Sequence, residues 1–152
     1  MTNQLIQSLA GALLLLTVSN ATHAEQINNM TVYKTPWCGC CEVWTKAMQD
    51  AGYVVEVKNI DNLLLTKRQS GVPAQLEACH TAVLGKYLIE GHLPLQAIDK
   101  LQSAKPNVRG IAVAGMPTGS LGMGYDPEAR YDVVSFTHAK TERPEMFYEV
   151  GK

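Results

Sequence analysis

The stretch Met30-Thr31-Val32-Tyr33-Lys34-Thr35-Pro36-Trp37-Cys38-Gly39-Cys40-Cys41 decides the fold. Thr31, Val32 and Tyr33 favour a strand. Thr35-Pro36 stops it and puts Trp37 and Cys38 in a loop. From Cys41 onward the apolar residues Trp44, Ala47, Met48 and Ala51 recur at helical spacing, and Gly52 suits the position just past a helix end. Tyr53, Val55 and Val57 then alternate with Val54, Glu56 and Lys58, which predicts a second strand. The result is a β-α-β unit with thiols at the front of its helix and its two strands parallel.

Further along, Asp61 to Gln69 reads as a short helix capped by Asp61 and broken by Gly71-Val72-Pro73. Strands are predicted over Leu76 to Val83 and Tyr87 to Glu90, with a turn at Gly85-Lys86. Gly91-His92-Leu93-Pro94 opens another helix, with Leu95, Ile98 and Leu101 on one face and Pro106 beyond its end. Ile111 to Val113 is a short apolar run. Gly115 to Arg130 reads as an ordered, irregular loop, and Tyr131 to Phe136 as the last strand. No repeat or linker divides the chain, so the expected fold class is a single α/β domain over residues 25–136, a mixed central sheet flanked by helices. Residues 137–152 read as a polar C-terminal tail that is mobile.

Upstream of the first strand, residues 1–24 carry no Asp, Glu, Lys or Arg. Leu5 to Val18 is mostly apolar, and small residues flank Ala21 and Ala24. This reads as a secretory signal peptide cleaved after Ala24 or Ala21, and the apolar run is short for a membrane span. An uncleaved signal is the one membrane attachment the sequence offers. A net charge of −1 points to no nucleic-acid partner. Oligomeric state is not legible.

Export bears on the thiols. Four cysteines in an oxidising compartment normally form two disulfides. Adjacent Cys40 and Cys41 are poor partners for each other, because neighbouring Cα atoms lie closer than a disulfide prefers. Cys38 and Cys41 keep the C-x-x-C spacing of a dithiol centre. Trp-Cys-Gly-Cys-Cys between a strand and a helix resembles the Trp-Cys-Gly-Pro-Cys centre of thioredoxins, with Cys40 in place of proline. At a helix N-terminus, free N–H groups and the dipole favour thiolate. Cys38 is expected outermost, Cys41 less exposed, and Cys40 pointing elsewhere. Three crowded thiolates repel one another, which cations offset, and soft sulfur ligands favour Cu(I). Bridging sulfurs suit several ions better than one.

The remaining ligand candidates lie downstream. In thioredoxin-like folds the loop before the third strand packs against the dithiol, which would bring Cys79 and His80 to the cluster. Met116 and Met123 offer thioethers from the Gly-rich loop. His92 reads as capping or lining a turn, with a ligand role as the lesser alternative, His138 as solvated and Met48 as core. Trp37 either shields the site or packs beside Pro36. No GxGxxG, GK[ST] or G-x-S-x-G is present, which argues against a phosphate loop and a serine hydrolase.

Trp37-Cys38-Gly39-Cys40-Cys41, Cys79-His80-Thr81-Ala82, Glu90-Gly91-His92-Leu93-Pro94 and Gly115-Met116-Pro117-Thr118-Gly119-Ser120, in this order and spacing, resemble the bacterial copper-resistance CopG family over residues 30–136. Leu121 stands where the family pattern is expected to have proline. The resemblance implies a thioredoxin-like domain, a periplasmic location and a cysteine-bridged site for several copper ions. Its implied role is interconversion of Cu(I) and Cu(II) in copper detoxification, which would make the protein a copper oxidoreductase. The expected metal ligands are Cys38, Cys40, Cys41, Cys79 and His80, with Met116 and Met123. The partners are copper ions and a periplasmic electron-transfer or copper-handling protein. Two alternatives stand beside this: a thiol–disulfide oxidoreductase with Cys38 as nucleophile and Cys41 as resolving thiol, and a passive copper store or chaperone.

Overall fold

A computed structural model describes residues 27–139 and 142–152. The proposed signal segment and its cleavage sites at Ala21 and Ala24 lie outside the described residues. Among those described, no helix is long and apolar enough to cross a membrane.

The elements are β1 (Asn29–Lys34), α1 (Gly39–Asp50), β2 (Val54–Asn59), α2 (Leu63–Ser70), a single 3₁₀ turn at Ala74–Leu76, β3 (Thr81–Leu84), β4 (Tyr87–Glu90), α3 (Leu95–Ala104), β5 (Gly110–Ala112), β6 (Tyr131–Phe136) and β7 (Glu145–Val150). Seven strands form one mixed sheet in the order β2-β1-β3-β4-β5-β6-β7. β1 runs parallel to β2 and antiparallel to β3, β3 and β4 form an antiparallel hairpin, and β4 and β5 are parallel across α3. A single α/β domain with a mixed sheet flanked by helices is what the sequence predicts.

Period-two alternation sorts each strand between two layers. Met30 and Val32, Ala82 and Leu84, and Tyr87 and Ile89 join one cluster with Trp44 and Met48 of α1 and Ala97, Ile98 and Leu101 of α3. Leu88, Ala112 and Phe136 join a second with Val72 and Leu76, beyond α2. So α1 and α3 cover one face, and the α2 segment covers the other. Each fully buried Leu, Ile or Met contributes about 1.5–3 kcal/mol. Trp44, Met48, Ile98 and Leu101 are all fully buried, so these two helices carry much of the stability.

α1 ends where Gly52 allows it. Gly52 adopts φ +95°, its N–H donates to Gln49 O at 3.0 Å, and the Tyr53 N–H donates to Met48 O at 3.1 Å. This pair of bonds closes the helix and turns the chain into β2.

Three boundaries differ from expectation. Asn62, not Asp61, caps α2, its side chain accepting the Leu65 N–H at 3.2 Å. The strand predicted from Leu76 begins at Thr81, because Ala74–Leu76 closes a 3₁₀ turn after Pro73. Val57 is 38 % exposed, because β2 is an edge strand. β6 is not the last strand, since β7 pairs antiparallel with it. Glu145-Met146-Phe147-Tyr148-Glu149-Val150 has strand alternation, but its charges hide the pattern. Phe147 and Tyr148 pack against the main core.

Candidate metal centre

The centre forms where β1 hands over to α1. Cys38 is the residue before the helix, with extended backbone and no side-chain cap. Its N–H donates to Thr35 O at 3.2 Å, and its carbonyl accepts the Glu42 N–H at 3.3 Å. The first-turn N–H groups that follow have no partner within the helix. Cys41 lies on the inward stripe and is fully buried, while Cys38 and Cys40 are half-buried. Cys38 and Cys41 are joined as a disulfide with Cα atoms 5.3 Å apart. The i, i+3 geometry of the turn thus accommodates dithiol chemistry.

Cys40 does not point away from its neighbours. Its Sγ lies 3.6 Å from Cys38 Sγ and 3.7 Å from Cys79 Sγ. The four cysteine sulfurs all fall within 4.8 Å of one another. Met116 Sδ sits 2.7 Å from Cys79 Sγ, whereas Met123 is half-buried in the same loop and is anchored through its N–H on Ser120 O at 2.8 Å. A bridge between Ala78 and Gly115 ties the Cys79 segment to that loop. Burial first, then the Cys40 thiol, pushes the Cys79 pKa up to about 11. At neutral pH, therefore, the Cys79 thiol keeps its proton.

Beneath the sulfurs lies a second donor set. His80 is fully buried, and neither of its ring nitrogens has a hydrogen-bond partner among the described residues. Its ring lies 4.3 Å from the Trp44 indole and 5.0 Å from the His92 ring, nearly perpendicular to the latter. His92 is also fully buried. Its Nδ1 pairs with Leu121 O at 2.8 Å, while Nε2 is unpartnered. A carbonyl can only accept, so Nδ1 carries the proton and Nε2 presents its lone pair, the arrangement metal-ligating histidines commonly use. Cys41 Sγ and donor nitrogens of His80 and His92 fall within 4.8 Å of one another. Cys41 thus belongs to both sets.

His92 is the residue that the sequence favours as a turn residue over a ligand. Its signal was the Gly91-His92-Leu93-Pro94 turn, but nothing local shows that the turn passes under α1. Leu121, at the position expected to be proline, supplies the carbonyl that orients His92 and packs against the core. Gly122, next to it, has φ +90°, and a Cβ there would stand 2.9 Å from Cys40 O. The loop therefore lies directly on the thiol turn. Trp37 is 74 % exposed, so it does not seal the site by burial. His138 is exposed and Met48 is core, as expected.

The buried histidines make stability depend on pH. Desolvation holds His80 well below the ordinary histidine range, with His92 and Lys67 acting in the same direction, and desolvation lowers His92 too. In the unfolded chain both protonate near pH ~6.5, while in the folded chain they stay neutral to lower pH. The unfolded state then binds more protons, so stability is present above pH ~6.5 and is lost as pH falls below it, by at most about 1.4 kcal/mol per pH unit per histidine. Urea unfolding of metal-free protein at descending pH should show this loss, with a shallower slope for His80→Leu. A profile that is flat from neutral pH to pH ~5 would mean that His80 is solvated or charged.

A solved structure of the copper resistance protein CopG, its form 2, is 32 % identical to this chain, with a TM-score of 0.72, covering 80 % of this chain and 96 % of that one. This chain belongs to the CopG copper-resistance family. Form 1 of CopG agrees, at 31 % identity and a TM-score of 0.74, covering 84 % of this chain and all of the other. Residues 76–123 also match a family described as a protein of unknown function, DUF411. That span holds Cys79, His80, His92 and Met116 but not the Cys38–Cys41 turn, so it covers one side of the candidate centre. No curated protein matches.

Proposed function

We propose that this protein binds copper in copper resistance, holding more than one ion through Cys38, Cys40, Cys41 and Cys79, with His80 assisting. The observation that carries this is the convergence of four sulfurs from two separate segments within 4.8 Å, in a chain of the CopG family. The donors fit the cargo: thiolate, thioether and neutral imidazole are soft or borderline ligands, and soft thiolates select Cu(I). The unpartnered ring nitrogens of His80 and His92 are buried polar atoms awaiting a partner. We add His92 Nε2 to the ligand set on that ground. Among the thioethers, the contact with Cys79 favours Met116 over Met123.

Copper, when held, supplies one-electron chemistry, and interconversion of Cu(I) and Cu(II) is the activity we assign. The chain's own part is to crowd the sulfurs, keep the histidines neutral and let Cys79 release its proton on binding. The scaffold is thioredoxin-like in our reading, supported by the β2-β1-β3-β4 strand order. We place the protein in the periplasm after cleavage at Ala24 or Ala21, with a copper-handling or electron-transfer partner there. Intact mass of the exported protein should correspond to a start at Glu25 or Thr22. A mass retaining Met1 would mean an anchor instead.

The Cys38–Cys41 disulfide favours a second reading, thiol–disulfide exchange, in which the Cys38 thiolate attacks a substrate disulfide and Cys41 resolves the mixed species. Titrating fully reduced protein with Cu(I) against a competing chelator discriminates the two. We expect more than one Cu(I) per chain and displacement of zinc by copper. A single ion, or a zinc-loaded form that resists copper, overturns the multi-copper reading.

A further inference from the structure

Glu90, the last residue of β4, is fully buried, and Lys67 of α2 is 4 % exposed. Lys67 Nζ meets Glu90 Oε1 at 2.6 Å. Such a pair is weak grounds for stability, because desolvation offsets its attraction and apolar residues of similar volume often do as well. The hydrogen bonds around it give it another role. Glu90 Oε1 also accepts the Ala78 N–H at 2.7 Å, and Glu90 Oε2 accepts the Thr81 hydroxyl at 2.6 Å. Lys67 Nζ donates to Thr81 Oγ1 at 3.0 Å as well. Ala78 and Thr81 stand immediately before and after Cys79-His80. One carboxylate therefore fastens both ends of the segment that carries Cys79. That segment precedes β3, and its backbone is otherwise tied by the Ala78–Gly115 bridge and by the Gly91 N–H donating to His80 O at 3.0 Å.

We infer that Glu90, braced by Lys67, is a positioning residue for copper binding: by tying down Ala78 and Thr81 it holds Cys79 against Cys40. This rests on the reading of Cys79 as a copper ligand. Glu90 is not among the donor groups that converge there. What it fixes is the distance between two chain segments that nothing covalent connects, and a loose Cys79 would leave Cys40 with sulfur neighbours on one side alone.

The test compares two double variants that leave no charge buried alone. Lys67→Met with Glu90→Gln keeps a side chain able to bond both Ala78 and Thr81. Lys67→Met with Glu90→Leu keeps the volume and removes both ties. Each is made with Cys79 present and with Cys79→Ser, and each is titrated with Cu(I) against a competing chelator alongside its thermal midpoint. With Cys79 present, the Leu form should bind Cu(I) about 10- to 100-fold more weakly than the Gln form, the range typical of groups that orient a ligand. With Cys79→Ser the two should bind alike. Thr81→Val, which cuts one tie and leaves the ion pair, should weaken binding only where Cys79 is present, and it serves if Leu at position 90 prevents folding. Equal affinity of the Gln and Leu forms beside Cys79 overturns the inference alone, as does an equal loss in both backgrounds. Wild-type copper binding by Cys79→Ser overturns the ligand reading, and the inference with it.

Discussion

Replacing Cys40 by proline lowers copper per chain and weakens Cu(I) binding by more than the about 10- to 100-fold typical of losing an outer-shell partner. The reason is its place in the row of sulfurs. Cys40 stands 3.6 Å from Cys38 and 3.7 Å from Cys79, so its removal takes out the sulfur that touches both. The fold should tolerate the change. Cys40 is the second helical residue, where the N–H has no intrahelical acceptor to lose. A first-turn proline is also compatible with helix geometry, and Gly39 before it is permissive. Stability should stay within about 1 kcal/mol of the parent. The substitution leaves the Cys38–Cys41 pair in place, so dithiol chemistry should persist or improve. The measurements are copper per chain, copper tolerance of a host carrying the variant, and reduction of a small disulfide. Unchanged copper content and tolerance, together with disulfide reduction dependent on Cys38, would show that dithiol exchange and not copper binding is the activity.

Trp44→Ala is expected to cost about 3–5 kcal/mol, a large part of the ~5–15 kcal/mol that separates folded from unfolded domains. Trp44 is fully buried between α1 and the sheet, and its Nε1–H donates to Leu93 O at 3.0 Å. Its ring also lies 4.3 Å from His80. Truncation opens a cavity, orphans a buried carbonyl and leaves His80 free to shift. Trp44→Phe keeps most of the apolar volume and loses the N–H, so it should cost about 1–3 kcal/mol. Denaturant unfolding of the metal-free protein reads both. A Trp44→Ala variant within about 1 kcal/mol of the parent would mean that the indole is not part of the packed core. Because Trp44 lies one turn beyond Cys41, the same change should weaken copper binding at the buried Cys41, His80 and His92 donors while sparing Cys40 and Cys79.

The sequence by itself determined the β1-α1-β2 unit and the position of three thiols at its turn. Those are local facts: strand residues, a proline stop, a helical stripe and a glycine exit all lie between Asn29 and Asn59. It also marked Cys79 and His80 through an ordered set of motifs. Local reading failed where a property depends on what lies across the sheet. Cys40 was expected to point elsewhere because a helix start splays its side chains, but Cys79 arrives from a separate segment and the two sulfurs meet. His92 reads locally as a turn residue, yet the Leu121 carbonyl fixes its tautomer and burial frees its Nε2. The charges of β7 mask its alternation, because an edge strand buries only part of one face. Lys67 and Glu90 lie 23 residues apart, and neither advertises a partner. Composition and periodicity record which residues want to be buried. Which donors share a burial site was decided by the tertiary structure, through the pairing of β3 and β4 beside β1 and the loop folded over the thiol turn.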